Sequence, residues 1–198
     1  APLAITRSIV KKIAGQRSVS ATIGDIPIEA AHDAILATAD TGVDYVKIGA
    51  FGDTDKTDFS PFSRLTTLNI RLILVLFADR APDFGIIPRL HAAGFFGVML
   101  DTAEKASGTL RTNLDDAALA AFLSEGRRAN LLVGLAGSLR VTDIVPLLAL
   151  QPDVLGFRGA ACKAGQRRET LDPTALFTLR QRIPSVTDFA DNHFGAET

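Results

Sequence analysis

The sequence predicts an α/β protein of the (β/α)8 barrel type. Three observations carry that expectation. Short β-rich runs alternate with Ala-rich amphipathic stretches, and six such units follow one another along the sequence. The β-rich runs are almost continuously apolar, as strands are when helices cover a parallel sheet. Polar residues gather at the C-terminal ends of all six runs: Thr22, Gly24 and Asp25; Lys47 and Gly49; Asp79; Asp101 and Thr102; Gly137 and Ser138; Arg158 and Gly159. Six consecutive polar strand ends converge if the strands form a ring, whereas an open doubly wound sheet spreads them along one edge.

The elements follow in order. Ala1 and Pro2 stand directly before a helical pattern in which Ile5, Ile9, Val10 and Ile13 share one face and Arg7, Lys11 and Lys12 the other. The chain is therefore expected to begin inside its fold. The β-rich runs are Ser18–Ile23, Val43–Gly49, Arg71–Phe77, Phe96–Asp101, Leu131–Ala136 and Val154–Arg158. The helical patterns between and after them are Glu29–Thr38, Asp58–Leu68, Ile86–Ala93, Asp115–Arg127, Thr142–Leu150 and Pro173–Arg182. No linker or internal boundary interrupts them, so residues 1–186 are expected to form one domain and 187–198 a tail. A complete eight-stranded barrel takes about 250 residues. The expectation is thus a partial barrel whose first two strands lie outside these residues.

With 21 basic and 22 acidic residues, the net charge of −1 offers no electrostatic attraction for nucleic acid or an anionic membrane. A single Cys makes no internal disulfide, and three scattered His build no structural zinc site, so no metal is expected. No apolar run reaches the roughly 20 residues that span a bilayer, and no signal peptide is legible. The expected location is the cytoplasm. Neither a Walker A loop nor a dinucleotide fingerprint is present, and no cofactor is expected.

Lys47 stands in the apolar strand Asp44-Tyr-Val-Lys-Ile-Gly49, where burial lowers an amine's pKa and suits it to act as a base or Schiff-base amine. Alternation puts it opposite Val46 and Ile48, hence pointing into the barrel. A strand-end lysine that reaches solvent or pairs with Asp44 is the plainer reading. Asp101 closes its strand and Lys105 follows in the next loop; the two could share proton transfers, or form an ordinary loop ion pair or cap. Asp25 and Asp79 occupy similar strand ends, with a cap or loop hydrogen bond weighing equally against chemistry. The segments Gly137-Ser138 and Arg158-Gly159-Ala160, with Lys163 beyond, combine small residues with positive charge and suit a phosphate, although tight turns need glycine too. Cys162 reads as a packed residue, His32 and His91 as structural or exposed. His193 lies in the tail. Arg167 and Arg168 form a solvated loop edge or help hold phosphate.

Taken together, the segments Ser20-Ala-Thr-Ile-Gly-Asp-Ile-Pro27, Asp44–Gly49, Met99-Leu-Asp-Thr-Ala-Glu-Lys105, Leu135-Ala-Gly-Ser138 and Arg158-Gly-Ala-Ala-Cys-Lys163 resemble the (5-formylfuran-3-yl)methyl phosphate synthases. The resemblance runs in register from about Ser18 to Lys163. It implies a (β/α)8 lyase of methanofuran-type cofactor biosynthesis that condenses two glyceraldehyde 3-phosphate molecules with loss of phosphate and water. It implies that Lys47 is the proton acceptor, supported by Asp101 and Lys105. The family's Schiff-base lysine sits in an Asp-x-Lys motif on the second strand, which has no counterpart ahead of Ser18. The six units then correspond to strands three to eight. A phosphosugar is the expected partner, and a homo-oligomer is compatible with the sequence. Another Schiff-base aldolase, a sugar-phosphate isomerase or a non-catalytic phosphate-binding subunit are the alternatives on this fold.

Overall fold

The computed structural model describes residues 2–52, 54, 56–104 and 108–184. Its strands are β1 (Ser20–Thr22), β2 (Tyr45–Gly49), β3 (Leu72–Phe77), β4 (Gly97–Asp101), β5 (Leu132–Leu135) and β6 (Val154–Leu155). They form one sheet in sequence order, and every neighbouring pair is parallel. A parallel neighbour requires a crossover between strands, and helical segments supply each one. The sheet curls as half of a barrel, with its helices on the convex side.

The helices are α1 (Leu3–Ile13), α2 (His32–Ala39), α3 (Ser63–Thr66), α4 (Ile87–Ala92), α5 (Leu110–Asn113), α6 (Asp116–Arg128), α7 (Ile144–Leu148) and α8 (Pro173–Arg182). The last coincides with its predicted stretch, with Asp172 accepting from the amides of Thr174 and Ala175 at its start. Asp115 caps α6 the same way, through Ala118. Two predicted helices are shorter because each opens as a 3-10 turn, Ser60–Phe62 before α3 and Val141–Asp143 before α7. The stretch Ile86–Ala93 matches α4 to within a residue at each end, a further 3-10 turn, Phe84–Ile86, leading into it. Pro61 lies in the turn before α3, and Pro88 and Pro146 lie in the opening turns of α4 and α7, where their missing N–H has no intrahelical partner to lose. The predicted stretch Glu29–Thr38 likewise opens with a 3-10 turn, Ile28–Ala30. Helix α5 was absent from the sequence expectation. It has four residues, too few for a period, and rests on a capping box between Thr109 and Thr112.

Strand alternation divides the side chains cleanly. Val46, Ile48, Leu72, Leu74, Leu76, Val98, Leu100, Val133 and Leu135 face the helices and join one buried core with Ile35, Leu65, Leu90, Leu119 and Phe122. The opposite, concave face carries Lys47, Ile73, Val75, Phe77, Met99 and Asp101. Register sets these in layers: Lys47 beside Ile73 and Gly97, then Gly49 beside Val75, Met99 and Gly134, then Phe77 beside Asp101. Gly49, Gly97 and Gly134 contribute no side chains to those layers, and the Phe51 ring, Leu132 and the Met99 side chain close over them instead.

Helix α1 forms where its apolar period predicts it. The shared face of Ile5 and Ile9 is exposed, and Thr6 is the helix's buried residue. Val10 and Ile13 on the same face are half-buried, with Val10 beside Gly42, and Arg7 pairs with Asp40 past the end of α2.

Candidate active site

At the C-terminal ends of the strands lies a cavity of about 600 Å³. Its floor and one wall are Lys47, Val75, Met99 and Asp101; its other wall is the loops after β5 and β6. That is the end at which barrel enzymes carry their chemistry.

Lys47 is half-buried, and its neighbours Val46 and Ile48 are wholly buried against the helices. Desolvation lowers its pKa from the ordinary lysine value, and the nearby Asp101 carboxylate opposes that shift in part. Asp44 accepts from the Val19 amide at 2.6 Å, and Asp101 is the carboxylate whose charge acts on Lys47. Asp101 accepts from the Thr102 amide at 2.7 Å, which orients its carboxylate where the strand ends.

Gly137, Ser138, Arg158, Gly159 and Ala160 all line the cavity. Among the described residues, the amides of Gly137, Ser138, Gly159 and Ala160 have no protein acceptor. Gly137 adopts φ 114°, and a Cβ there would crowd the Thr102 amide at 3.2 Å, so the backbone itself forms the wall. Ser138 follows at φ 50°, a left-handed pair of residues that turns successive N–H groups to one side. The Arg158 Nε donates to the Arg167 carbonyl at 3.3 Å, tying the two ends of the β6 loop together. Arg140 and Arg167 complete the wall. Among the described lining residues, one lysine and three arginines therefore face a single carboxylate, a balance suited to a phosphorylated anion.

The structure separates the remaining candidates. Asp79 lies outside the cavity wall, and its carboxylate accepts from the amides of Ala103 and Glu104 at 2.8 and 2.7 Å. It braces the loop that follows Asp101, which is the loop-hydrogen-bond alternative weighed from sequence. Asp25 is exposed and also lies outside the lining. Lys163 is exposed on a 3-10 turn beyond the lining residues. Lys105 lies outside the described residues, as do His193 and the expected tail. Cys162 is buried and pairs through a single antiparallel bridge with Leu171. His32 is exposed beside Asp33, and His91 is exposed on α4. Arg140 went unnoticed in the sequence, although it stands two residues after Ser138 in a segment already suspected of holding phosphate. Among the described residues, no cluster of three or more His, Cys, Asp or Glu could hold a metal, and no helix is long and apolar enough to cross a membrane.

The half-barrel and its basic mouth define a TIM-barrel-like enzyme fold. Its overall shape matches a 3-hexulose-6-phosphate synthase (TM-score 0.64, 18% identity, covering 92% of this chain and 81% of that one). It also matches a Thermus thermophilus phosphoribosyl anthranilate isomerase (TM-score 0.60, 15% identity, 96% and 81%). At such identities the likeness concerns the fold alone. The family is shown by sequence: residues 1–180 match the 4-HFC-P synthase model, and the chain belongs to that family. The (5-formylfuran-3-yl)methyl phosphate synthase of Methanococcus aeolicus is 35% identical over 167 residues, covering 76% of this chain and 70% of that protein. That of Methanopyrus kandleri is 31% identical over 177 residues, covering 82% and 75%. A Methylorubrum extorquens protein provisionally named for the same activity is 40% identical over 171 residues, covering 86% and 71%.

Proposed function

We propose that this protein is a carbon–oxygen lyase that condenses two molecules of glyceraldehyde 3-phosphate into (5-formylfuran-3-yl)methyl phosphate, releasing phosphate and water. One observation carries the reading: a desolvated amine, Lys47, opens onto the same cavity as a wall of four amides and three arginines. A lysine whose pKa is lowered has a larger neutral fraction at working pH and can take a proton from carbon. The arginine-lined wall would hold the phosphate of the substrate and stabilise it as it leaves. Asp101, across the cavity floor, would hold the lysine's charged form in place once the proton has moved. Lys105, four residues after Asp101 in the sequence, would serve as the second proton carrier.

In this reading the six strands are the third to eighth of a (β/α)8 barrel, and the Schiff-base lysine belongs to the second strand. Eliminating phosphate breaks a carbon–oxygen bond, which sets the lyase class. The test uses protein expressed from its complete reading frame and incubated with glyceraldehyde 3-phosphate. Equimolar appearance of a furan aldehyde chromophore and inorganic phosphate is the expected result. Conversion to another sugar phosphate, with no furan, would replace the reading with an isomerase or aldolase.

A further inference from the structure

Beyond the residues that line the cavity, where β2 and β3 end, three residues form a unit that the catalytic reading leaves unused. Phe51 follows β2, Phe77 ends β3, and their ring centroids are 4.9 Å apart. The guanidinium of Arg80 lies 5.4 Å from both centroids, over the ring pair. Gly49 makes the arrangement possible, since a Cβ there would come within 2.3 Å of the Phe51 ring and 3.1 Å of Phe77. Phe77 is on the concave face, beside Asp101 in register. Arg80 is exposed, and among the described residues its N–H groups donate to no acceptor.

Stacking on aromatic rings holds a guanidinium by its flat face and leaves its N–H edge free to bind an anion through two hydrogen bonds. An arginine fixed this way has surrendered part of its rotamer freedom before any ligand arrives. A ligand here is physically separated from the first wall. Neighbouring strands lie about 4.8 Å apart, so β3 and β5 stand roughly 10 Å from each other, with Asp101 of β4 between them and Lys47 on β2 at the other side of β3. Two phosphorylated molecules in one cavity repel each other and need separate cations.

We propose that Arg80, stacked on Phe51 and Phe77, is a second anion subsite that takes the phosphate of the second triose while the β5 and β6 loops hold the first. This rests on the reading of the cavity as a two-substrate condensation site. The subsite would set the orientation in which the second carbonyl meets the carbanion formed near Lys47.

The test is titration of the full protein with inorganic phosphate, followed by calorimetry and 31P NMR, beside a separate assay of furan formation. The expected result is two saturable sites. Arg80→Gln should weaken one of them by about 10–100-fold, the usual loss for a charged hydrogen bond, while leaving the other unchanged. Arg158→Gln should act on the other site alone. Phe51→Leu keeps the charge and removes one of the two stacked rings, and should weaken the Arg80 site without reaching the Gln variant's loss. A single phosphate site in the unmodified protein, or two full-affinity sites in Arg80→Gln, overturns the proposal. Unaltered phosphate binding in Phe51→Leu overturns the stacking basis. Two sites without furan formation would reject the condensation and keep the subsite; furan formation with an unaffected Arg80→Gln would do the reverse.

Discussion

Replacing Lys47 by Met removes the amine and keeps an unbranched stem of similar length. The stem stands in register between Thr22 on β1 and Ile73 on β3, with Met99 also on the cavity wall. A near-isosteric exchange in such a place costs less than about 1.5 kcal/mol, so the variant should fold. The sign of the stability change follows from Lys47's lowered pKa. An unfolded lysine keeps its proton up to about pH 10.4, whereas the folded one releases it at lower pH. Between those two values the unfolded state binds more protons, so the unmodified protein gains stability as pH rises through that window. Lys47→Met lacks this gain. Its stability relative to the unmodified protein should be most favourable below the folded-state pKa and decline toward the ordinary lysine value. Turnover, by contrast, should fall by about 10²–10⁴-fold, the usual contribution of a positioned base. Lys47→Arg should not restore it, because a guanidinium stays protonated. Steady-state furan formation and urea unfolding at neutral and alkaline pH measure the two effects. Near-normal turnover in Lys47→Met would remove the residue from the chemistry. A stability difference that does not change between the two pH values would refute the buried-amine argument.

The rate–pH profile of the unmodified protein should rise with pH and level off below the ordinary lysine value; a plateau reached only above it would contradict a desolvated base. Asp79→Ala leaves the amides of Ala103 and Glu104 without that carboxylate, and should cost about 1–3 kcal/mol of stability. Faster hydrogen exchange in the loop after Asp101, together with a lower kcat, should accompany it. Arg140→Gln should raise KM more than it lowers kcat, since Arg140 lines the wall opposite Lys47. Gly126→Ala in α6 tests the helix-to-sheet packing. Alanine ordinarily stabilises a helix by about 1 kcal/mol relative to glycine, but its Cβ would stand 2.1 Å from a Val133 methyl. A net loss of about 1–3 kcal/mol in thermal or urea unfolding is expected.

The sequence by itself determined the alternation of strands and helices, the parallel class of the sheet, and the side of β2 on which Lys47 stands. All three depend on local periods: apolar runs mark strands covered by helices, and alternation sends residue 47 away from residues 46 and 48. It also carried the family resemblance through five short segments in register. Only the tertiary structure decided which polar residues meet. Asp25, Asp79 and Asp101 are equivalent as strand-end carboxylates in the text, yet Asp101 faces Lys47, Asp79 is engaged by two backbone amides, and Asp25 is left at the surface. Arg140 and Arg167 reach one wall from different loops, and Arg80 finds one ring at the end of β3 and another just past β2. Such convergence depends on register between strands and on the backbone angles of the loops, quantities set by packing across the whole sheet, so no window of neighbouring residues contains them.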